Sequence, residues 1–120
     1  EEGSIVLGNF TNIAAKSTII CVSDAYLGDG LITAPGIPKE MCDSLIIEPI
    51  VFKNFVNVGA NVTILPGVTL AEGCVIGACS FIPKGFKTEP WTIYAGNPIK
   101  PIGKRPKENM IRYAAELGYR

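Results

Sequence analysis

From Phe52 to Ile82 the apolar positions of this chain recur every six residues. Phe52, Val58, Ile64, Leu70, Ile76 and Ile82 form one series, and Ile50, Val56, Val62, Val68, Cys74 and Ser80 stand two residues before them. A six-residue period fits neither the 3.6 of an α-helix nor the 2.0 of a flat strand. A short strand followed by a tight corner, repeated, does satisfy it. Each anchor then points into one narrow core, and each corner takes a small or turn-forming residue. Gly59, Ala71 and Gly77 follow three of the anchors, while Asn61, Pro66-Gly67 and Glu72-Gly73 fall between them, where such a chain turns.

An earlier series, Leu7, Ile13, Ile19 and Ala25, has the same spacing, with Ile5, Thr11, Ser17 and Ser23 two residues ahead, and predicts corners of the same coil. The register then breaks, because Ala25 and Ile46 are 21 residues apart. Residues 26–45 therefore read as an insertion, punctuated by Gly28, Gly30, Pro35, Gly36 and Pro38. A loop of that length in a compact domain is more often functional than idle. After Ile82 the repeat ends at Pro83-Lys84-Gly85. Residues 106–120 read as a helix: Pro106 suits its first turn, Met110, Ile111, Ala114 and Leu117 make an apolar stripe, Glu108 and Arg112 are spaced to pair, and Gly118 suits its end. The stripe is expected to cover the end or side of the coil. The chain thus divides into a coil over 1–105, with its inserted loop, and a terminal helix.

Composition narrows the function classes. Eleven basic and eleven acidic residues cancel among 120, and with 8% aromatics the chain has no general electrostatic handle for nucleic acid. No apolar run approaches the ~20 residues that span a bilayer, and Glu1-Glu2-Gly3-Ser4 is not a signal peptide, so the expected location is the cytoplasm. Cys21, Cys42, Cys74 and Cys79 lack a C-x2-C pair, and the chain has no histidine, so the cysteines read as structural thiols and no metal is expected. Basic residues do gather late: Lys84, Lys87, Lys100, Lys104, Arg105 and Lys107 are six of the eleven positive charges.

The run from Val58 to Leu70, then Ile76-Gly77-Ala78-Cys79-Ser80, then Tyr94-Ala95-Gly96-Asn97-Pro98-Ile99-Lys100, resembles the hexapeptide-repeat acyltransferases, most of all their sugar O- and N-acetyltransferase branch (maltose and galactoside acetyltransferase-like). The resemblance implies an all-β fold: a left-handed parallel β-helix of triangular section with three hexapeptides per coil, a protruding loop and a short C-terminal α-helix, assembled as a homotrimer. It implies acetyl-CoA as co-substrate and a sugar or nucleotide-sugar acceptor, acylated on an amino or hydroxyl group, as in bacterial surface polysaccharide synthesis. The loop would wall the active site beside an adjacent subunit, where Tyr26 and Leu31 would meet the sugar. Asn57 is a further polar candidate for that role.

Coenzyme A carries a 3′-phosphate and a pyrophosphate, to which Lys84, Lys104 and Arg105 are suited. Gly59, Gly77 and Ala78 would let its pantetheine arm approach backbone amides. Acyl transfer from a thioester also needs a nucleophile, an oxyanion donor and usually a base. The family base is a histidine at the strand end before the long loop. Here that place is Ser23-Asp24-Ala25-Tyr26. Either Ala25 is an inactivating change, or this branch works with Asp24 alone. A carboxylate with an ordinary pKa near ~3.9 is a poor base for a sugar hydroxyl. A neutral amine attacks a thioester without one, which tilts the reading toward N-transfer. The alternative from another class is a non-catalytic hexapeptide scaffold subunit; a zinc carbonic anhydrase of related fold needs three histidines and is dismissed.

Overall fold

The computed structural model describes residues 3–24 and 27–119. Ala25 and Tyr26 lie outside the described residues. The elements run β1 (Ile5–Leu7), β2 (Asn12–Ile13), β3 (Thr18–Ile19), β4 (Val22–Asp24), β5 (Leu45–Ile47), β6 (Ile50–Phe52), β7 (Asn57–Val58), β8 (Thr63–Ile64), β9 (Thr69–Leu70), β10 (Val75–Ile76), β11 (Phe81–Ile82), β12 (Thr92–Ala95), β13 (Lys100–Lys104) and α1 (Glu108–Glu116). Three parallel ladders stack them: β1-β6-β9, β2-β7-β10-β12 and β3-β8-β11. Val51 pairs with Thr69, Asn57 with Val75 and Thr63 with Phe81, each 18 residues on, so one coil is three hexapeptides. Between the first and second coils the offset is 45 residues, as in Ile5 with Ile50 and Thr18 with Thr63. The extra 27 residues are the inserted arm.

The core follows the six-residue register. All twelve anchor positions between Ile50 and Ile82 are at most 3% exposed. Burying an aliphatic side chain to that extent contributes about 1.5–3 kcal/mol, so this column is the main source of stability. Ser80 is the polar member, and its hydroxyl is satisfied: it donates to Gly77 O at 2.7 Å and accepts from Gly96 N–H at 3.1 Å. The first coil keeps the ladder but not the burial. Leu7 and Ile5 stand at the open end of the coil and are mostly exposed, although the same register positions are buried one coil later.

Corners recur in the same register. Phe55, Asn61, Gly67, Gly73, Cys79, Gly85 and Trp91, six apart throughout, all have φ between +52° and +80°. Phe10 and Lys16 do the same in the first coil. Residues stacked at one corner form columns. Phe10, Phe55, Gly73 and Trp91 make the first, with Phe10 stacked on Phe55 at 5.4 Å and Phe55 tilted against Trp91 at 5.6 Å. Gly73 is required between them, because a Cβ there would stand 2.2 Å from the Trp91 ring. The second corner carries Lys16, Asn61 and Cys79, and the third carries Gly67 and Gly85.

The Ala95-Gly96-Asn97-Pro98 stretch turns the chain, through a cis Asn97–Pro98 peptide, into β13, which pairs antiparallel with β12. Helix α1 lies along the side of the coil: Ala114 is buried against Phe55 and Trp91, with Met110 beside them. Two helix expectations are corrected. Arg112 faces Glu116, at 3.9 Å, rather than Glu108, whose carboxylate instead accepts the Lys107 N–H at 3.3 Å. Lys107 also occupies the N-cap, so Pro106 precedes the first turn. Gly118 does end the helix. It has φ +93°, its N–H bonds Ala115 O and the Tyr119 N–H bonds Ala114 O, a Schellman closure. No described helix is long and apolar enough to cross a membrane.

Candidate active site

The arm leaves the third corner of the first coil as β4 and returns as β5. These strands pair antiparallel, Asp24 opposite Leu45, so the neck of the insertion is a two-stranded ribbon. Beyond it, Leu31 bridges to Cys42 and Lys39–Met41 form a 3-10 turn. Asp24 ends β4 and is half-buried. One of its carboxylate oxygens accepts the Thr33 N–H at 3.2 Å, which ties the two sides of the arm together rather than closing a local turn. Its backbone carbonyl accepts from Lys84 Nζ at 3.1 Å. Lys84 follows β11 two coils below, so this bond fastens the arm's base to the coil wall.

A cleft of about 510 Å³ opens there, under the arm. Lys84, Asp43 and Ser44 are its polar groups, and Leu27, Phe81 and Pro83 are among its apolar walls. A second cleft, of about 330 Å³, lies across the neck and shares Asp43 and Ser44. Sequence reasoning passed over Asp43, Ser44 and Phe81. The first two lie within the insertion, where no register assigns them a direction, and Phe81 reads simply as the outward partner of Ile82.

The other candidates lie at other corners. Gly59, Gly77 and Ala78 sit at the second corner, stacked closely: a Cβ on Gly59 would stand 2.7 Å from Ala78 N, and one on Gly77 would stand 3.2 Å from the Ala95 Cβ. Asn57 is exposed on the ladder face leading to that corner, paired with Asn12 and Val75. Leu31 is exposed on the arm. Lys104 and Arg105 stand near the first corner, around a shallow hollow with Lys107, Glu89 and Glu108. Lys104 Nζ donates to Thr92 Oγ1 at 3.2 Å. Arg105 is committed to the fold: one nitrogen donates to Phe55 O at 2.6 Å and Gly73 O at 3.0 Å, and the guanidinium lies over the Trp91 ring at 5.9 Å. Desolvation lowers its pKa, opposed by the nearby Cys74. Lys87 likewise donates to Gly67 O at 2.7 Å.

Within one chain, then, the arm's base and the small-residue corner are separate corners of the triangle, and the late basic residues are spread around it. The four cysteines are free thiols, and burial pushes the Cys74 thiol up from its ordinary 9.0. Among the described residues no group of three metal-ligating side chains converges.

The bacterial transferase hexapeptide (six repeats) family matches residues 49–84. A probable macrolide acetyltransferase of Lysinibacillus sphaericus is 35% identical over 94% of this chain and 67% of its own length. This chain belongs to the hexapeptide-repeat acyltransferase family. Its β-helix is left-handed. A dTDP-4-amino-4,6-dideoxy-D-glucose acyltransferase of Escherichia coli is 28% identical over 89% of this chain, but this chain spans only 54% of that protein. AntD, an N-acyltransferase from Bacillus cereus solved in complex with dTDP and 3-hydroxybutyryl-CoA, superposes with a TM-score of 0.81 at 26% identity, covering 98% of this chain and 59% of AntD.

Proposed function

We propose that this chain performs coenzyme A-dependent acyl transfer, moving an acetyl group from acetyl-CoA to an amino or hydroxyl group of a sugar or nucleotide-sugar. The observation that carries this reading is the overlay of nearly the whole chain on AntD, an N-acyltransferase solved with dTDP and an acyl-CoA. The arm's base fits the acceptor's place, since the cleft there sets polar groups on a mostly apolar wall and half-buried Asp24 is tied through its carbonyl to Lys84 of that wall. A neutral amine there would attack the thioester carbonyl. Backbone N–H groups would hold the oxyanion, and its collapse would expel the coenzyme thiolate, which takes up the amine's proton. Asp24 would orient the acceptor. An amine needs no strong base, which suits a chain without histidine.

The coenzyme's pantetheine arm is assigned to the corner of Gly59, Gly77 and Ala78, and its phosphates to Lys104, with Arg105 holding the backbone nearby. Because that corner and the arm's base are different corners of one triangle, the site closes when the corner of one protomer meets the arm of another, as in a homotrimer. The cytoplasm, which holds coenzyme A thioesters, is the assigned location.

The test is calorimetric titration with coenzyme A and acetyl-CoA. Micromolar binding near one site per chain is expected. Absence of binding would overturn the transferase reading in favour of a non-catalytic scaffold subunit, which the missing histidine favours.

A further inference from the structure

Asp43 and Ser44 are the residues that line both clefts, and Asp43 is the charged one. Its Oδ1 accepts the Gly30 N–H at 3.1 Å, which is enough to hold the neck of the arm. Its Oδ2 is shut off from solvent and has no hydrogen-bond partner among the described residues. A native fold rarely leaves a carboxylate oxygen in that condition, because desolvation is then uncompensated. What covers the carboxylate is glycine backbone. A Cβ on Gly28 would stand 2.7 Å from Oδ1 and 3.0 Å from Oδ2, and one on Gly30 would stand 2.6 Å from Oδ1. The cover over Oδ2 belongs to an exposed stretch, with Leu27 93% exposed. The orphaned oxygen therefore lies beneath one exposed layer of chain, in the wall of a cleft that Lys84 also lines.

We propose that Asp43 is an acceptor-recognising residue: when the Leu27–Gly28 segment lifts, Oδ2 receives the amino group of an aminosugar. This rests on the sugar acyltransferase reading and names its acceptor class, a sugar with a primary amine at the acylated position. Lys84, which lines the same cleft, brings a positive charge to the acceptor's anionic portion. An amine on a carboxylate makes charge-assisted hydrogen bonds, whereas a hydroxyl makes one weaker bond, so the preference for the amine is about tenfold or more. The neck itself does not need the charge. An asparagine at 43 keeps an acceptor for the Gly30 N–H while presenting an amide to the cleft, so Asp43→Asn separates recognition from support.

The experiment is calorimetric titration of the natural chain and of Asp43→Asn with two matched probes, dTDP-4-amino-4,6-dideoxy-D-glucose and dTDP-6-deoxy-D-glucose, with coenzyme A titrated alongside. The natural chain is expected to bind the amine about tenfold more tightly, and Asp43→Asn to lose that preference with hydroxyl-probe and coenzyme A affinities unchanged. Gly28→Ala, whose methyl would stand 2.7 Å from Oδ1 and push the carboxylate aside, is expected to lose the preference too, and serves where Asp43→Asn fails to fold. Equal affinity of the natural chain for both probes overturns the inference, as does a preference that survives both substitutions. Coenzyme A binding with neither sugar probe binding overturns it while sparing the transferase reading; loss of coenzyme A binding overturns that reading and this inference with it.

Discussion

Gly73→Ala is expected to destabilise the coil far more than the same change at Gly85. The two glycines occupy the same register, at φ +73° and +69°, and each would pay the left-handed strain of a Cβ, about 1–2 kcal/mol. They differ in what the new methyl meets. At Gly85 there is nothing within 4 Å among the described residues. At Gly73 the Trp91 ring stands at 2.2, 2.3 and 2.6 Å, and it is wedged between Phe55 and the Arg105 guanidinium. Overpacking a site that cannot relax costs about 1–3 kcal/mol more. Gly73→Ala should therefore cost about 2–5 kcal/mol, a fall in Tm of roughly 10–20 °C for a chain of this length, against roughly 5 °C for Gly85→Ala. Thermal unfolding followed by circular dichroism is the assay, since it reads variants with and without Trp91, the only tryptophan, on one scale. In a Trp91→Ala background the Gly73→Ala penalty should shrink to that of Gly85→Ala. Equal losses at the two glycines, or a Gly73→Ala penalty undiminished without the indole, would refute the wedge.

Arg105→Met should cost about 2–4 kcal/mol in chemical denaturation, because it leaves the Phe55 and Gly73 carbonyls without their charged donor, and Arg105→Lys should recover only part of that. Lys104→Glu should weaken coenzyme A binding about tenfold by calorimetry if the phosphates lie there, and unchanged affinity would move them elsewhere. Lys84→Met should speed proteolytic cutting within the arm, with the coil's unfolding midpoint little changed, because it removes the tie to the Asp24 carbonyl. Cys74 should resist thiol reagents until the chain unfolds. Its folded pKa is raised, mainly by burial, so above its ordinary 9.0 the unfolded chain loses the proton first. Stability is then flat in this respect below about pH 9 and falls as pH rises beyond it, a slope that Cys74→Ala should remove.

The sequence made the core legible because the six-residue period is strict, so each anchor's direction follows from its number. The corners were only half legible. Asn61, Gly67 and Gly73 announce themselves as turn-formers, but Phe55, Cys79 and Trp91 adopt the same left-handed conformation against their own preference. Extending the Asn61–Gly67–Gly73 series by six in both directions would have found all of them. The late basic residues show the opposite hazard. They are neighbours in sequence, yet in an eighteen-residue coil a step of six moves a residue to the next corner, and only a step of eighteen keeps it in place. Lys84 therefore fastens the arm at the third corner, while the antiparallel return of β13 brings Arg105 back to carbonyls at the first. Asp43 had no signal, because its environment is made by backbone from elsewhere in an aperiodic loop.

The same register separates the chain's duties by corner. The first corner is aromatic and carries α1, whose buried Ala114 packs on Phe55 and Trp91, so it is spent on cohesion. The second is flanked by Gly59, Gly77 and Ala78, where a Cβ on Gly59 would stand 2.7 Å from Ala78 N, so backbone packs closely on backbone there. The third bears the arm, the cleft and Lys84. A substitution's effect should accordingly depend on its position modulo eighteen more than on its residue type. Changes within the aromatic column of the first corner should move Tm and leave ligand affinity per folded molecule intact, while changes to side chains lining the cleft at the third should move affinity more than Tm. Arg105 and Lys104 test that division most sharply. They are adjacent in sequence, yet one is bound to the carbonyls of the first corner and the other reaches only a threonine hydroxyl beside it. If both substitutions changed stability and coenzyme affinity in the same proportion, the division of duties among corners would not hold.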